Sequence, residues 1–256
     1  MKQLQHRVTV TAQQSLSPCY RRLVLDAPSV AARLKPGQFV NIRVTDGLEP
    51  VFRRPFSVYR AQNDSIEIFY DVVGTGTAKM AVLTPGDPLD ILGPLGRPFT
   101  PPGPAVKRIV MIAGGIGVAP FLALTDAWRE KGLEMTLLYG GRGQDQMFDM
   151  SAFEDNGCCV LLSTEDGSAG VKGRVSELFE KIPAGSDVLV LTCGPRPMMK
   201  AVQEFCAARG LDGECSCEEV MACGIGACLG CVIATTAGYK TVCHDGPVFG
   251  LHEVVF

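Results

Sequence analysis

The chain has 256 residues, 46% of them hydrophobic and 20% charged, with a formal net charge of −3. That length suits two domains and a small appendage, and the near-balanced charge gives no electrostatic reason to expect nucleic acid or a membrane surface as a partner. No apolar run approaches the roughly 18–20 residues that cross a bilayer. The opening MKQLQHRVTV lacks a secretory apolar core, so the eleven cysteines are expected as reduced thiols of a cytoplasmic protein, several of them holding metal.

Residues 1–101 read as short β runs broken by Gly and Pro, at 8–11, 20–25, 39–44, 57–59, 65–72 and 88–92. Closely spaced short strands with turn signals predict a small antiparallel barrel, with one short helix inserted at 77–83. Arg53-Arg54-Pro55-Phe56-Ser57 stands at the start of a strand. Arginine with a nearby serine hydroxyl suits a pyrophosphate and a flavin ring, and the proline fixes the backbone; the plainer alternative is a surface arginine pair before an edge strand. Gly74-Thr75-Gly76-Thr77 opens the short helix. Its glycines admit a phosphate closely and its threonine sits beside free N–H groups; alone, it reads first as a Gly-rich turn with an N-cap. Both strings in one barrel favour a flavin.

The proline-rich stretch 98–104 reads as a linker. From 105 to 210 the period changes: strands at 108–113, 135–139, 160–163 and 188–192 alternate with helical stretches reaching 129, at 175–181 and at 198–209. Such alternation predicts a parallel sheet with helices on both faces. After its first strand comes Gly114-Gly115-Ile116-Gly117-Val118-Ala119-Pro120, a strand-to-helix turn that directs N–H groups at a dinucleotide pyrophosphate. Cys193-Gly194-Pro195 ends the last parallel strand, where a small polarisable side chain can pack beside a nicotinamide; a buried core cysteine is the alternative. Ser163-Thr164-Glu165-Asp166-Gly167 follows the third strand. Its carboxylates would repel a 2′-phosphate and favour NAD over NADP, while Arg142 argues the other way.

Residues 211–256 turn to loops and short strands around Cys223, Cys228, Cys231 and Cys243. The first three follow the C-x4-C-x2-C spacing of a plant-type [2Fe–2S] loop, whereas structural zinc favours two C-x2–4-C knuckles. Small residues between them let the backbone wrap and turn N–H groups toward sulfur. Cys215 and Cys217 read as buried free thiols, Cys158 and Cys159 as small apolar fillers, and His244 as a solvated loop residue.

These strings together resemble the ferredoxin–NADP reductase superfamily, a flavin barrel followed by a pyridine-nucleotide domain. The tail MACGIGACLGCVI and TVCHDGPVF resembles the electron-transfer subunits of type B dihydroorotate dehydrogenase, and this likeness covers essentially the whole chain. It implies that Cys223, Cys228, Cys231 and Cys243 ligate a [2Fe–2S] cluster. It also implies that Arg54, Pro55, Phe56, Ser57, Phe69, Tyr70, Asp71, Gly76 and Thr77 contact FAD, although Asp71 stands where the family often has a basic residue. For NAD, Gly114, Gly115, Gly117, Cys193 and Gly194 are the candidates.

The resemblance further implies an FMN-containing catalytic subunit that oxidises dihydroorotate, in a heterotetramer of two of each chain. Electrons would pass from FMN through [2Fe–2S] and FAD to NAD⁺. Nothing in the sequence resembles an orotate site or a carbon-acid base, so no catalytic residue is expected on this chain. Two alternatives remain open: a reductase subunit of another complex, of the sulfide dehydrogenase, hydrogenase or NAD(P)H–ferredoxin type, and a redox sensor without turnover.

Overall fold

The computed structural model describes residues 4–18 and 20–256. The first unit holds β1 (Gln5–Ser15), β2 (Tyr20–Asp26), α1 (Pro28–Ala31), β3 (Phe39–Arg43), β4 (Arg54–Ser57), β5 (Arg60–Gln62), β6 (Ser65–Asp71), α2 (Thr75–Met80) and β7 (Pro88–Leu95). Its strands form one antiparallel sheet in the order β4-β3-β7-β1-β2-β6-β5. Strands β4 and β5 therefore lie at opposite ends of the sheet, yet only Val58 and Tyr59 separate them. Two residues reach about 7 Å, whereas seven flat strands at about 4.8 Å spacing would hold the ends far apart. The sheet is thus curled toward closure. Val58 N–H donates to Gln38 O at 3.3 Å and Tyr59 N–H to Glu67 O at 2.8 Å, so the chain changes partners there. That handover splits the strand expected at 57–59. Inward-facing Leu23, Leu25, Val40, Ile42, Ile66, Ile68 and Ile91 fill the barrel.

The second unit contains β8 (Arg108–Gly114), α3 (Leu122–Trp128), β9 (Glu134–Gly141), α4 (Met150–Glu154), β10 (Cys158–Thr164), β11 (Val171–Lys172), β12 (Val188–Cys193), α5 (Arg196–Arg209) and β13 (Asp212–Ser216). After it come the hairpin β14 (Val232–Thr235) and β15 (Gly238–Thr241), then β16 (Val248–Gly250). The sheet runs β11-β10-β9-β8-β12-β13-β16, parallel except for β16. Strand order reverses between β8 and β12, the switch point where such sheets open a ligand crevice. The helix expected at 175–181 winds as a 3-10 helix, with Glu177 N–H donating to Arg174 O at 2.9 Å and Ile182 N–H to Phe179 O at 3.0 Å. Val175 and Leu178, three apart and both buried, suit that three-residue period.

Strands β13 and β16 carry the segment beyond residue 211 onto the edge of this sheet, so the cysteine loop rests on the second unit. It also meets the barrel: Arg97 N–H donates to Gly246 O at 2.6 Å, and Thr100 Oγ1 donates to Glu214 Oε1 at 2.6 Å. Barrel and sheet are joined directly as well. Arg60 bonds Asp126 through two nitrogens, each at 2.8 Å. Asp149 accepts from Arg22 at 2.9 Å and from the Tyr59 hydroxyl at 3.1 Å. The Phe148 ring packs on Tyr20 and Phe69, 4.9 and 5.5 Å between centroids. Among the described residues no helix is long and apolar enough to cross a membrane.

Candidate functional site

A cleft of about 660 Å³ lies on the barrel surface facing the C-terminal segment. Its wall brings together Arg54, Pro55, Phe56 and Ser57 of β4, Phe69, Tyr70 and Asp71 of β6, and Thr77 of α2. The curl of the sheet turns β4 toward β6, with Phe56 and Tyr70 rings 5.8 Å apart. Gly76 underlies the arginine, since a Cβ there would stand 2.9 Å from Arg54 Nε. Thr77 Oγ1 accepts the Val73 and Gly74 N–H groups at 3.0 and 3.1 Å, which starts α2 two residues earlier than the helix expected at 77–83. A guanidinium, a glycine cradle and an aromatic wall in one cleft fit a flavin with its pyrophosphate. Burial pushes the Asp71 carboxyl above its ordinary range, and an acid at this position gives a phosphate no favourable side-chain partner.

A second cleft, about 710 Å³, opens at the switch point and is lined by Gly114, Gly115, Gly117 and Gly194. The two loops meet backbone to backbone. A Cβ on Gly117 would overlap the Cys193 carbonyl oxygen and stand 2.8 Å from Gly194 Cα; one on Gly114 would lie 2.9 Å from Pro195 Cδ. Side chains are excluded there, so the two loops pack closely at the switch point where such sheets take a dinucleotide. Cys193 is fully buried behind the turn, and its side chain does not form part of the cleft wall. Burial, with Glu218 and Cys217 nearby, pushes its thiol well up. Of the acidic pair after β10, Asp166 turns into its own loop, accepting from Ser168 N–H at 2.8 Å and Ser168 Oγ at 2.6 Å. Glu165 alone lines the cleft, with Arg142 and Arg174.

The two clefts are continuous. Asp71, Ile116, Arg196 and Glu218 line both. Val220 and Met221, just ahead of Cys223, also line the first cleft.

The cysteine loop wraps through left-handed Gly224 (φ 71°), Gly226 (φ 81°) and Leu229 (φ 56°). These turns aim backbone N–H groups at sulfur. Ile225 and Cys228 donate to Cys223 Sγ at 3.5 and 3.4 Å, Gly226 to Cys243 Sγ at 3.1 Å, and Cys243 to Cys231 Sγ at 3.4 Å. The bonds gather all four expected ligands around one loop. Burial raises the Cys223 thiol, but the Ile225, Cys228 and Ala227 N–H groups outweigh it and bring the thiol down to about 6. Burial and the adjoining Cys231 push Cys243 up to about 12. N–H groups converging on a set of thiols are the environment that iron–sulfur ligation uses. Among the described residues no three His, Cys, Asp or Glu side chains converge on a single-ion site. Cys215 and Cys217 are buried with sulfurs 3.7 Å apart, outside this loop. Of the vicinal pair, Cys158 is buried and Cys159 exposed, so only the former fills the core. The His244 side chain is 70% exposed beside Asp245.

A family model for the iron-sulfur cluster binding domain of dihydroorotate dehydrogenase B matches residues 218–255, and one for the oxidoreductase NAD-binding domain matches 111–204. The chain is 38% identical over 255 residues to the electron transfer subunit of dihydroorotate dehydrogenase B (NAD(+)) from Geobacillus thermodenitrificans, covering 97% of this chain and 98% of that one. The chain belongs to this family. The corresponding subunit from Desulforamulus reducens is 34% identical, over 96% and 97% of the two chains. Among solved structures, that of an NADH-dependent reduced ferredoxin–NADP oxidoreductase, concerned with flavin-based electron bifurcation, superposes with a TM-score of 0.86 at 26% identity, over 97% of this chain and 89% of that one. As a dihydroorotate dehydrogenase B electron-transfer subunit, the chain is an oxidoreductase component that works with FAD, a [2Fe–2S] cluster and NAD.

Several lining residues are not legible in the sequence. Phe39 faces the first cleft, Tyr20 and Arg174 the second, and Glu218 both. Tyr20 and Phe39 sit in ordinary strand runs, where nothing separates a wall residue from a core residue. Glu218 lies five residues before Cys223, and its proximity to the cluster motif is the one signal that points to it.

Proposed function

We propose that this chain carries electrons between an FMN-containing partner subunit that oxidises dihydroorotate and NAD⁺, in a cytoplasmic complex of two copies of each subunit. The observation that carries the reading is the continuity of the two clefts at Asp71, Ile116, Arg196 and Glu218, with the cysteine loop seated against the flavin side. We assign the barrel (1–101) to FAD, residues 105–210 to NAD and residues 211–256 to the cluster.

In this assignment Arg54 and the N-terminus of α2 hold the flavin pyrophosphate, while Ser57, Phe69 and Tyr70 border the ring. The Gly114–Gly117 turn and Gly194 receive the dinucleotide, and Glu165 disfavours a 2′-phosphate. Cys223, Cys228, Cys231 and Cys243 ligate the cluster. Bound FAD supplies the exchange between hydride at the nicotinamide and single electrons at the iron–sulfur group. The loop itself presents exposed Val220, Ile225 and Leu229, an apolar rim suited to a partner's surface.

Co-expression with the FMN subunit tests this. The reading expects the two chains to co-purify and dihydroorotate to reduce NAD⁺ only when both are present. Purification with an unrelated partner, with no dihydroorotate-dependent NAD⁺ reduction, would overturn it in favour of another reductase complex.

A further inference from the structure

Strand β3 crosses the barrel beside the cysteine loop, and at its centre stands Asn41. Its side chain is fully buried, and neither Nδ2 nor Oδ1 has a hydrogen-bond partner within the protein. A buried carboxamide left unpaired at both ends costs free energy that folded proteins rarely carry. Its neighbour identifies what should satisfy the Nδ2 end. A Cβ on Gly224, the residue after Cys223, would overlap Asn41 Nδ2 and lie 3.3 Å from Asn41 Cγ. Gly224 also has φ 71°, so glycine is required there twice over, once for the turn and once for the amide. Phe39, on the same face of β3, lines the flavin cleft, whereas Asn41 does not. The amide is therefore set against the cluster loop and not against the flavin.

We propose that Asn41 is a positioning residue of the iron–sulfur site, donating its Nδ2–H to a cluster sulfur beside Cys223. The inference rests on the [2Fe–2S] reading of the four cysteines. It adds a contact from a different unit of the protein, the barrel, to N–H donors that otherwise come from the loop's own backbone. A donor to sulfur stabilises the more negative, reduced cluster and raises its potential. The barrel thereby tunes the centre that its own flavin exchanges electrons with.

The test uses the intact chain with its cofactors, labelled with 15N only at asparagine side-chain amides. The sequence has three asparagines. Asn156 Nδ2 is committed to Thr125 Oγ1 and Asp126 Oδ1 at 3.0 and 2.8 Å, and Asn63 lies in the turn between β5 and β6. A 15N coupling to the reduced cluster in pulsed EPR therefore reports Asn41. The expected result is a resolved coupling in the unsubstituted protein that disappears in Asn41→Leu. The variant's cluster should also titrate at a lower midpoint, by about tenfold in the equilibrium constant, or about 59 mV for one electron. A normal [2Fe–2S] signal without 15N coupling would overturn the role of Asn41 while leaving the cluster intact. A coupling and midpoint that stay unchanged in Asn41→Leu would overturn that role equally. Absence of any [2Fe–2S] signal would instead remove the cluster reading itself. If Asn41→Leu fails to fold, the spectrum of the unsubstituted protein decides alone.

Discussion

Replacing Gly117 by alanine tests whether the nucleotide cleft depends on backbone contact between the β8 and β12 loops. The added methyl would overlap the Cys193 carbonyl oxygen and stand 2.6 Å from its carbon and 2.8 Å from Gly194 Cα, where real Cβ contacts essentially never fall below 3.0 Å. All three atoms are backbone, so no side chain can swing aside, and the turn itself must retreat. Overpacking of this kind costs about 1–3 kcal/mol. If that falls on the nucleotide-bound geometry, binding weakens by about 5–150-fold. The assay is steady-state NADH oxidation with an artificial acceptor, together with flavin content and a thermal melt. We expect a higher KM for NADH with flavin content retained. Gly103→Ala, in the linker with no atom within 4 Å of its would-be Cβ, should leave KM unchanged. An unaltered KM and melting temperature in Gly117→Ala would refute the close-approach argument.

Other consequences follow from the contacts between units. Asp149→Ala strands the hydroxyl of Tyr59, which is 2% exposed, and removes one of the partners of Arg22, so chemical denaturation should show a loss of about 1–3 kcal/mol. Asp149→Asn keeps an acceptor and tolerates the left-handed backbone at φ 52°, so it should recover most of that loss. Gly224→Ala should lower iron per chain while flavin per chain is unchanged, because its Cβ would overlap the Asn41 amide; elemental analysis beside the flavin absorbance reads both. Glu214 has its carboxyl raised by burial, a shift that hydrogen bonds from Thr100 only partly oppose. The folded state thus holds the proton more tightly than the unfolded chain, and the cost of ionising it is absent below about pH 4 and grows as pH rises through the folded value. Thermal melts of Glu214→Gln should exceed those of the parent at pH 8, with the difference vanishing in acid.

What the sequence makes legible follows from how local each signal is. The cysteine spacing, the Gly114–Gly117 turn and the change from β to β/α period are short-range patterns, and each sits where expected. Contacts that depend on which strands pair are hidden. The segment Asp212–Ser216 has no apolar run and becomes β13 only because β12 offers it a parallel edge. Val58 and Tyr59 look like ordinary strand residues, yet they are where the barrel closes. Asp166 reads as a nucleotide-selecting acid but is occupied by Ser168, which leaves Glu165 opposite two arginines. Cys193 ends the strand at the second cleft, but its side chain points into the core. Asn41, in the middle of an apolar strand, gives no sign until the loop folds over it.

The central claim is that flavin, nucleotide and cluster are wired together within this one chain. Anaerobic titration of the purified protein with NADH, followed by low-temperature EPR, tests it most directly. The account predicts that NADH bleaches the flavin and brings up a [2Fe–2S] signal in proportion to the bound iron, and that Cys228→Ser removes this signal while flavin reduction persists. A flavin that bleaches fully beside an oxidised, EPR-silent cluster in the unsubstituted protein would contradict it.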